Sequence, residues 1–174
     1  MNNSHGGVNR HRADKTAGIA YAGMTAALYT LLTLLSDLFG LAYGPVQIRL
    51  SEALCVLPTF SPYAISGLTV GCVISGLISG ALPADILFGS VVTLLGAVGT
   101  RLLRKKRYLC CLPPVIANGA AIPFLLINVY GVNIAYPLLL LSITAGESVS
   151  VFLLGQLLYA ALRGNGGRIF KGRR

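Results

Sequence analysis

The fold of this chain depends on ten residues, Ser51-Glu-Ala-Leu-Cys-Val-Leu-Pro-Thr-Phe60, which lie between two long apolar blocks. As an α-helix rising about 1.5 Å per residue, this stretch would cross only half of a hydrocarbon core about 30 Å thick. Whether it crosses decides the number of membrane spans. It therefore also decides the side of the membrane on which every later loop lies.

Five other apolar blocks are long enough to cross a membrane, because a transmembrane helix needs about 20 predominantly apolar residues. They are residues 17–39, 61–80, 83–103, 109–131 and 134–162. Over the whole chain 55% of residues are apolar and 11% are charged, whereas a typical soluble domain has about 25% charged residues. The composition predicts an all-α integral membrane protein whose helices are apolar on all sides.

The basic residues decide between five and six spans. The net charge is +9, and Lys and Arg cluster before the first block, at residues 101–107 and after residue 162. If residues 51–60 cross as a short second span, all three clusters lie on the cytoplasmic side, as the positive-inside rule requires. Arg49 alone of the 14 basic residues would then lie outside. We therefore predict six transmembrane helices, the second one short, with both termini in the cytoplasm.

This topology divides the chain into a polar, basic leader (residues 1–16), a six-helix membrane domain (17–162) and a basic cytoplasmic tail (163–174). Basic residues at the block edges indicate membrane orientation rather than nucleic-acid binding, since no aromatic residues alternate with them. The sequence has no Walker motif, no nucleophile–base arrangement and no metal-ligand spacing. We expect neither an enzyme nor a bound metal or cofactor.

Glu147 is the strongest candidate for a functional residue. It lies near the centre of the last block, and an acid at mid-membrane costs roughly 2.5–3.5 kcal/mol on insertion scales. We expect no Lys or Arg at its depth, so we interpret Glu147 as a ligand-binding residue; the alternative is a structural acid hydrogen-bonded to another helix. Asn118 lies at a similar depth in the fifth span, and for it ligand contact and an interhelical hydrogen bond both remain open.

Three further candidate substrate-binding residues lie at the predicted outer face. Asp85 follows Pro83 at the start of the fourth span, a pattern typical of a helix N-terminus, although this end also faces the outer entrance. Glu52 follows Ser51, the predicted N-cap of the short span, and Arg49 lies in the outer loop just before it. For both acids the alternative is a structural role at the start of a helix.

Small residues recur at every fourth position in two of the predicted spans. Ala22 and Ala26 lie on one face of the first span, and the third span carries Gly67, Gly71, Ser75 and Ser79. This spacing lets helix backbones approach closely in lipid. Two explanations of this spacing remain open: packing of the stripes inside the bundle, or contact of one stripe with a partner protein.

Several motifs resemble those of one transporter family. They are Val46-Gln-Ile-Arg-Leu-Ser-Glu-Ala-Leu54 with the following Leu57-Pro58, Asp85-Ile-Leu-Phe-Gly-Ser90, Leu112-Pro-Pro-Val-Ile-Ala-Asn118 and Gly146-Glu147. Residues 17–159, which contain these motifs, resemble the queuosine-precursor transporter family (QueT). This family is a group of substrate-binding S components of energy-coupling factor (ECF) transporters.

The resemblance implies an ECF S-component-like bundle that binds its substrate near the outer face of the bacterial plasma membrane. Such a subunit docks on a transmembrane scaffold served by two cytoplasmic ATPases, and a small-x-x-x-small motif, here Ala22 and Ala26, would meet the scaffold. The implied substrate is a 7-deazaguanine, such as 7-cyano- or 7-aminomethyl-7-deazaguanine, or queuine. The alternatives are an S component for a different vitamin or heterocycle and a structural membrane subunit without a ligand.

Overall fold

The computed structural model describes residues 4–42 and 47–169, and the side chains of residues 14–42 and 47–164. Within these ranges the chain forms helices and no strand, as predicted. The α-helices are α1 (Ser4–Leu38), α2 (Tyr63–Ile78), α3 (Pro83–Leu102), α4 (Leu112–Asn128), α5 (Tyr136–Ser148) and α6 (Gly155–Ile169). Three other helical elements are the central 3-10 helix (Leu50–Thr59), a single 3-10 turn (Leu109–Cys111) and a π-helical segment (Val149–Leu154).

Four helical stretches are long and apolar enough to cross a membrane: Asp14–Leu38, Pro83–Leu102, Leu109–Asn128 and Tyr136–Gly164. The stretches Leu50–Thr59 and Tyr63–Ile78 are apolar but shorter. These six stretches coincide with the six predicted spans. The number that cross the membrane and the side of the termini remain predictions.

The predicted leader and tail are partly helical. Helix α1 begins at Ser4, within the leader, and α6 continues to Ile169, within the tail. Residues 1–3 and 170–174 lie outside the described part of the chain, as does Val46 of the first motif. The outer faces of the helices carry exposed large apolar side chains, as contact with lipid requires; examples are Ile19, Met24, Leu31, Leu87, Leu95, Leu153 and Leu157.

The central 3-10 helix lies in the middle of the bundle. Residues 51–58 are all buried, and the helix contacts α1, α3, α6 and the π-helical segment. A 3-10 helix rises about 2.0 Å per residue, so its ten residues cover about 20 Å rather than the about 15 Å expected of an α-helix. The expectation of α geometry in this stretch was wrong, and the extended geometry brings it closer to the thickness of the hydrocarbon core.

Two arginines connect elements at the end of the bundle that is predicted to be cytoplasmic. Arg101 Nη1 donates to the carbonyl oxygens of Pro58 at 3.0 Å and Thr59 at 3.1 Å, which are the last residues of the central 3-10 helix. Arg107 Nε donates to Gln156 Oε1 at 2.9 Å, and Gln156 Nε2 donates to the Arg107 carbonyl at 3.0 Å. Cations suit the C-terminal end of a helix, whose carbonyls lack intrahelical donors.

Glycines bring α2 directly against α1. A Cβ on Gly67 would lie 2.6 Å from the carbonyl oxygen of Ala22, and a Cβ on Gly71 would lie 2.8 Å from the carbonyl oxygen of Ala26. Ala26 is buried in this contact. The two stripes of small residues therefore pack against each other. This packing favours the internal-packing alternative for the two stripes, and contact of Ala22 and Ala26 with a partner protein stays a prediction.

We expect Ala26→Leu to destabilise the isolated protein and Ala27→Leu to leave its stability nearly unchanged. A leucine at position 26 has no space beside Gly71, and overpacking of this kind costs about 1–3 kcal/mol. Ala27 is exposed on the other face of α1. Thermal unfolding of both variants in one detergent measures the difference, and equal unfolding temperatures would contradict the α1–α2 packing described here.

Candidate functional site

The five predicted site residues are all buried in the part of the chain that the structure describes. Arg49, Glu52, Asp85, Asn118 and Glu147 each expose 7% or less of their surface. A buried charge is stable only with partners that replace its hydration. The partners of each residue therefore indicate whether its role is structural or whether it is available to a ligand.

Glu52 is held by donors on both of its carboxylate oxygens. Tyr29 Oη donates to Oε1 at 2.7 Å, and Cys55 Sγ donates to Oε2 at 2.9 Å. The predicted N-cap role of Ser51 was wrong: Arg49 is the N-cap residue, without a side-chain capping bond, and the Ser51 hydroxyl accepts from Thr33 Oγ1 at 2.8 Å. The two hydrogen bonds from Tyr29 and Thr33 fasten α1 to the central 3-10 helix, so Glu52 has a clear structural role.

Arg49 turns inward from the predicted outer loop. Its Nε donates to the carbonyl oxygen of Ala42 at 2.7 Å, and its guanidinium is close enough to Glu52 and Glu147 for electrostatic attraction. The expectation that no basic residue lies near Glu147 was therefore wrong. Arg49 provides one positive charge for two buried acids.

Glu147 lies in the last turn of α5 and is nearly as buried as Glu52. The Asn118 side chain on α4 lies close enough to interact with its carboxylate. The second oxygen, Oε2, is buried and has no hydrogen-bond partner among the described residues. Glu147 is thus an acceptor with unused capacity, unlike Glu52.

Gly146 explains how the loop before the central 3-10 helix reaches Glu147. A Cβ at this position would overlap the carbonyl oxygen of Gln47, so only glycine allows the backbone of residues 47–49 to lie directly on this turn of α5. Gly146 therefore allows the backbone at Gln47 to lie against α5, and the Glu147 carboxylate follows directly after this contact in the chain. Arg49 lies two residues after Gln47. This contact therefore brings its side chain near Glu52 and Glu147.

A cavity of about 250 Å³ is lined by one of the five predicted site residues, Asp85; Glu147 and Asn118 are not among its lining residues. Its walls are mainly apolar, with Asp85 and Gln47 as polar lining residues; the others are Ile122, Leu125, Leu126, Tyr130 and Val132. Asp85 lies in the first turn of α3 after Pro83, as predicted, and its Oδ2 accepts from Tyr130 Oη at 2.9 Å. It also lines a much smaller cavity with Tyr29, Thr33, Arg49 and Cys72. Asp85 thus lies between the larger cavity and the buried charges.

Sequence reasoning missed three residues of this site. Tyr29 interrupts an apolar span with a hydroxyl, which buried tyrosines usually pair, and this was a usable signal. Gln47 lies inside the first quoted motif, whereas Tyr130 in the loop after α4 carried no signal. Among the described residues no group of His, Cys, Asp or Glu could hold a metal ion.

A protein-family model described as "QueT transporter" matches residues 19–164. The chain belongs to the QueT transporter family. It is similar to a curated protein, "Queuosine precursor transporter QueT" from Lactococcus lactis subsp. cremoris (strain MG1363), with 36% identity over 83 residues. The aligned region covers 48% of the chain and 48% of that relative, about half of each. No solved structure matches the chain.

Family membership confirms the resemblance found in the sequence. Together with the apolar helices, it supports a multi-pass membrane protein.

We expect Tyr29→Phe to destabilise this QueT family member by about 1–3 kcal/mol, because the buried Glu52 carboxylate loses a donor. The matched control is Tyr136→Phe, which removes an exposed hydroxyl that donates to the Ala120 carbonyl at 3.0 Å. Chemical denaturation in mixed micelles measures both variants. A loss for Tyr29→Phe no greater than that for Tyr136→Phe would contradict the structural role of the Tyr29–Glu52 bond.

Proposed function

We propose that the chain is the substrate-binding S component of an ECF-type ABC importer that takes up a queuosine precursor, a 7-deazaguanine. The observation that carries this proposal is the buried Oε2 of Glu147, which has no hydrogen-bond partner in the described part of the chain. An unsatisfied buried acceptor costs about 1–3 kcal/mol. In a transporter, donors of a bound substrate would recover this cost.

The chemistry of a 7-deazaguanine suits this acceptor. Its N1–H and 2-amino group are two donors side by side, and a carboxylate accepts such pairs in charge-assisted bonds about twice as strong as neutral ones. Asn118, already beside Glu147, would turn its amide to the O6 edge of the ring, as amide side chains do on base edges. Arg49 is close enough to Glu147 for electrostatic attraction.

The cavity supports a small bicyclic substrate. A water molecule takes about 30 Å³ of liquid volume, so about 250 Å³ holds several waters or one such ring system. Asp85 at the start of α3 and Tyr130 in the loop after α4 both line the cavity. Both lie at the predicted outer end of the bundle, where an importer binds its substrate.

Glu147→Gln tests the proposal. The amide places a donor where the substrate presents its own donors, and we expect the variant to lose at least about 2 kcal/mol of binding free energy. Isothermal titration of the purified subunit with 7-aminomethyl-7-deazaguanine measures this. The control is Asp37→Asn, a half-buried acid at the outer end of α1 that lines neither cavity.

Two results would contradict this proposal. Unchanged affinity in Glu147→Gln would remove that residue from the site. A wild-type protein that binds no 7-deazaguanine would favour a different heterocycle or a structural subunit without a ligand.

We also propose that the chain works with a transmembrane scaffold and two cytoplasmic ATPases, as its resemblance to S components implies. The burial of Ala26 against α2 means that a scaffold contacting α1 would meet another of its faces. Gly23 and Ala27 are exposed, and no neighbouring atom lies within 4 Å of a Cβ placed on Gly23. Helix backbones approach closely at such positions in lipid.

The proposed topology has six spans and both termini in the cytoplasm. The central 3-10 helix would be the short second span, supported by its burial among the other helices. The arginines near its C-terminal end, Arg101 and Arg107, would then lie at the cytoplasmic side, in agreement with the positive-inside rule.

Cysteine labelling in intact cells tests this topology in a background without the native cysteines. We expect a membrane-impermeant maleimide to label Asn133→Cys in the loop before α5 but not Lys105→Cys in the loop after α3. Both positions are exposed, so a difference between them reports sidedness rather than burial. Efficient labelling of Lys105→Cys from outside would overturn the six-span topology.

A further inference from the structure

Asp85 is more deeply buried than its place at the start of α3 requires. Proline at the start of α3 and the helix dipole explain an acid in the first turn, but such an acid is normally solvated. Asp85 is instead 7% exposed and lines both the 250 Å³ cavity and the smaller cavity.

The hydrogen-bond donor to Asp85 carries no charge. Its Oδ2 accepts a hydrogen bond from the neutral phenol of Tyr130. Arg49, which also lines the smaller cavity, is attracted by Glu52 and Glu147. The described residues that line the larger cavity include no Lys or Arg. Asp85 therefore lines the larger cavity with no cationic side chain among the described lining residues.

The surroundings of Asp85 strengthen its attraction for a cation. Ile122, Leu125, Leu126 and Val132 form apolar walls beside it, and Coulomb attraction grows as the local dielectric constant falls. Taking a cation out of water is costly unless a fixed opposite charge receives it. The N-terminal end of α3 favours the ionised carboxylate before any ligand arrives.

We propose that Asp85 is the counter-ion for a protonated amine on the ligand, so that the site prefers an amine-bearing 7-deazaguanine to a neutral one. This inference rests on the proposed function and specifies the substrate within it. An alkylamine such as the 7-aminomethyl group is protonated at neutral pH, as lysine is. The 7-cyano group has no charge.

The chemistry of the ring is compatible with two separate acids. The 7-substituent lies on the five-membered ring, away from the N1–H and 2-amino edge that Glu147 would receive. The charged neighbours of Glu147 are Glu52 and Arg49, whereas Asp85 lines the cavity at the start of α3. One acid would therefore bind the edge common to all 7-deazaguanines, and the other would distinguish their 7-substituents.

Ligands with different charge at the 7-position test this assignment, and the aminomethyl and hydroxymethyl compounds hardly differ in shape. Isothermal titration of the purified wild-type subunit would compare 7-aminomethyl-, 7-hydroxymethyl- and 7-cyano-7-deazaguanine. We expect the aminomethyl compound to bind at least about tenfold more tightly than the hydroxymethyl compound, because only the former forms a buried ion pair. Asp85→Asn should remove this preference by weakening the aminomethyl compound alone, and Asp37→Asn should retain it.

The outcomes separate the inference from the function on which it rests. Equal wild-type affinity for the aminomethyl and hydroxymethyl compounds would overturn the role of Asp85 while leaving a 7-deazaguanine transporter in place. Equal losses for all three ligands in Asp85→Asn would show that Asp85 is structural. Binding of none of the three to the wild type would overturn the proposed function and this inference with it. The wild-type comparison can overturn the inference even if Asp85→Asn does not fold.

Discussion

The burial of the Glu52 carboxylate at the centre of an apolar bundle is the constraint on which the arrangement of the other elements depends. Water cannot hydrate a carboxylate buried inside such a bundle, so protein donors must replace the lost hydrogen bonds to water. Tyr29 on α1 and Cys55 on the same 3-10 helix do so. The Tyr29–Glu52 hydrogen bond therefore fixes the position of α1 along the central 3-10 helix. The Thr33–Ser51 hydrogen bond repeats the connection one turn further along α1.

The site is organised by glycines as much as by charged groups. Gly71 lets α2 lie close to α1 beside Tyr29, and Gly146 lets the backbone at Gln47 lie on α5 beside Glu147. These close contacts bring segments distant in sequence around one small polar region. Within that region Glu52 has two donors, whereas Glu147 retains a buried oxygen without one. The difference separates an acid whose carboxylate oxygens both accept hydrogen bonds from one that retains unused acceptor capacity.

The sequence predicted the helices because block length and hydropathy are local properties. Pro83 marked the start of α3 correctly, and the small-residue spacing correctly indicated close helix packing. The 3-10 geometry of residues 50–59 was not predictable, since a short apolar stretch is compatible with either helix type and packing selects between them. Spacing also gave no indication of which surface Ala26 faces. The inward turn of Arg49 depends on the contact at Gly146, which joins residues about a hundred positions apart.

The π-helical segment between α5 and α6 has a consequence for evolution. A π-helical turn contains more residues than an α-helical turn, so it changes the angular relation between the two halves of this long helix. Glu147 lies before the segment, and Gln156, which is bound to Arg107, lies after it. Losing one residue between them would rotate one half by about 100° relative to the other. Either Glu147 would leave Asn118 or Gln156 would leave Arg107. The number of residues from 147 to 156 should therefore resist insertion and deletion among relatives, even where the apolar side chains within it exchange freely.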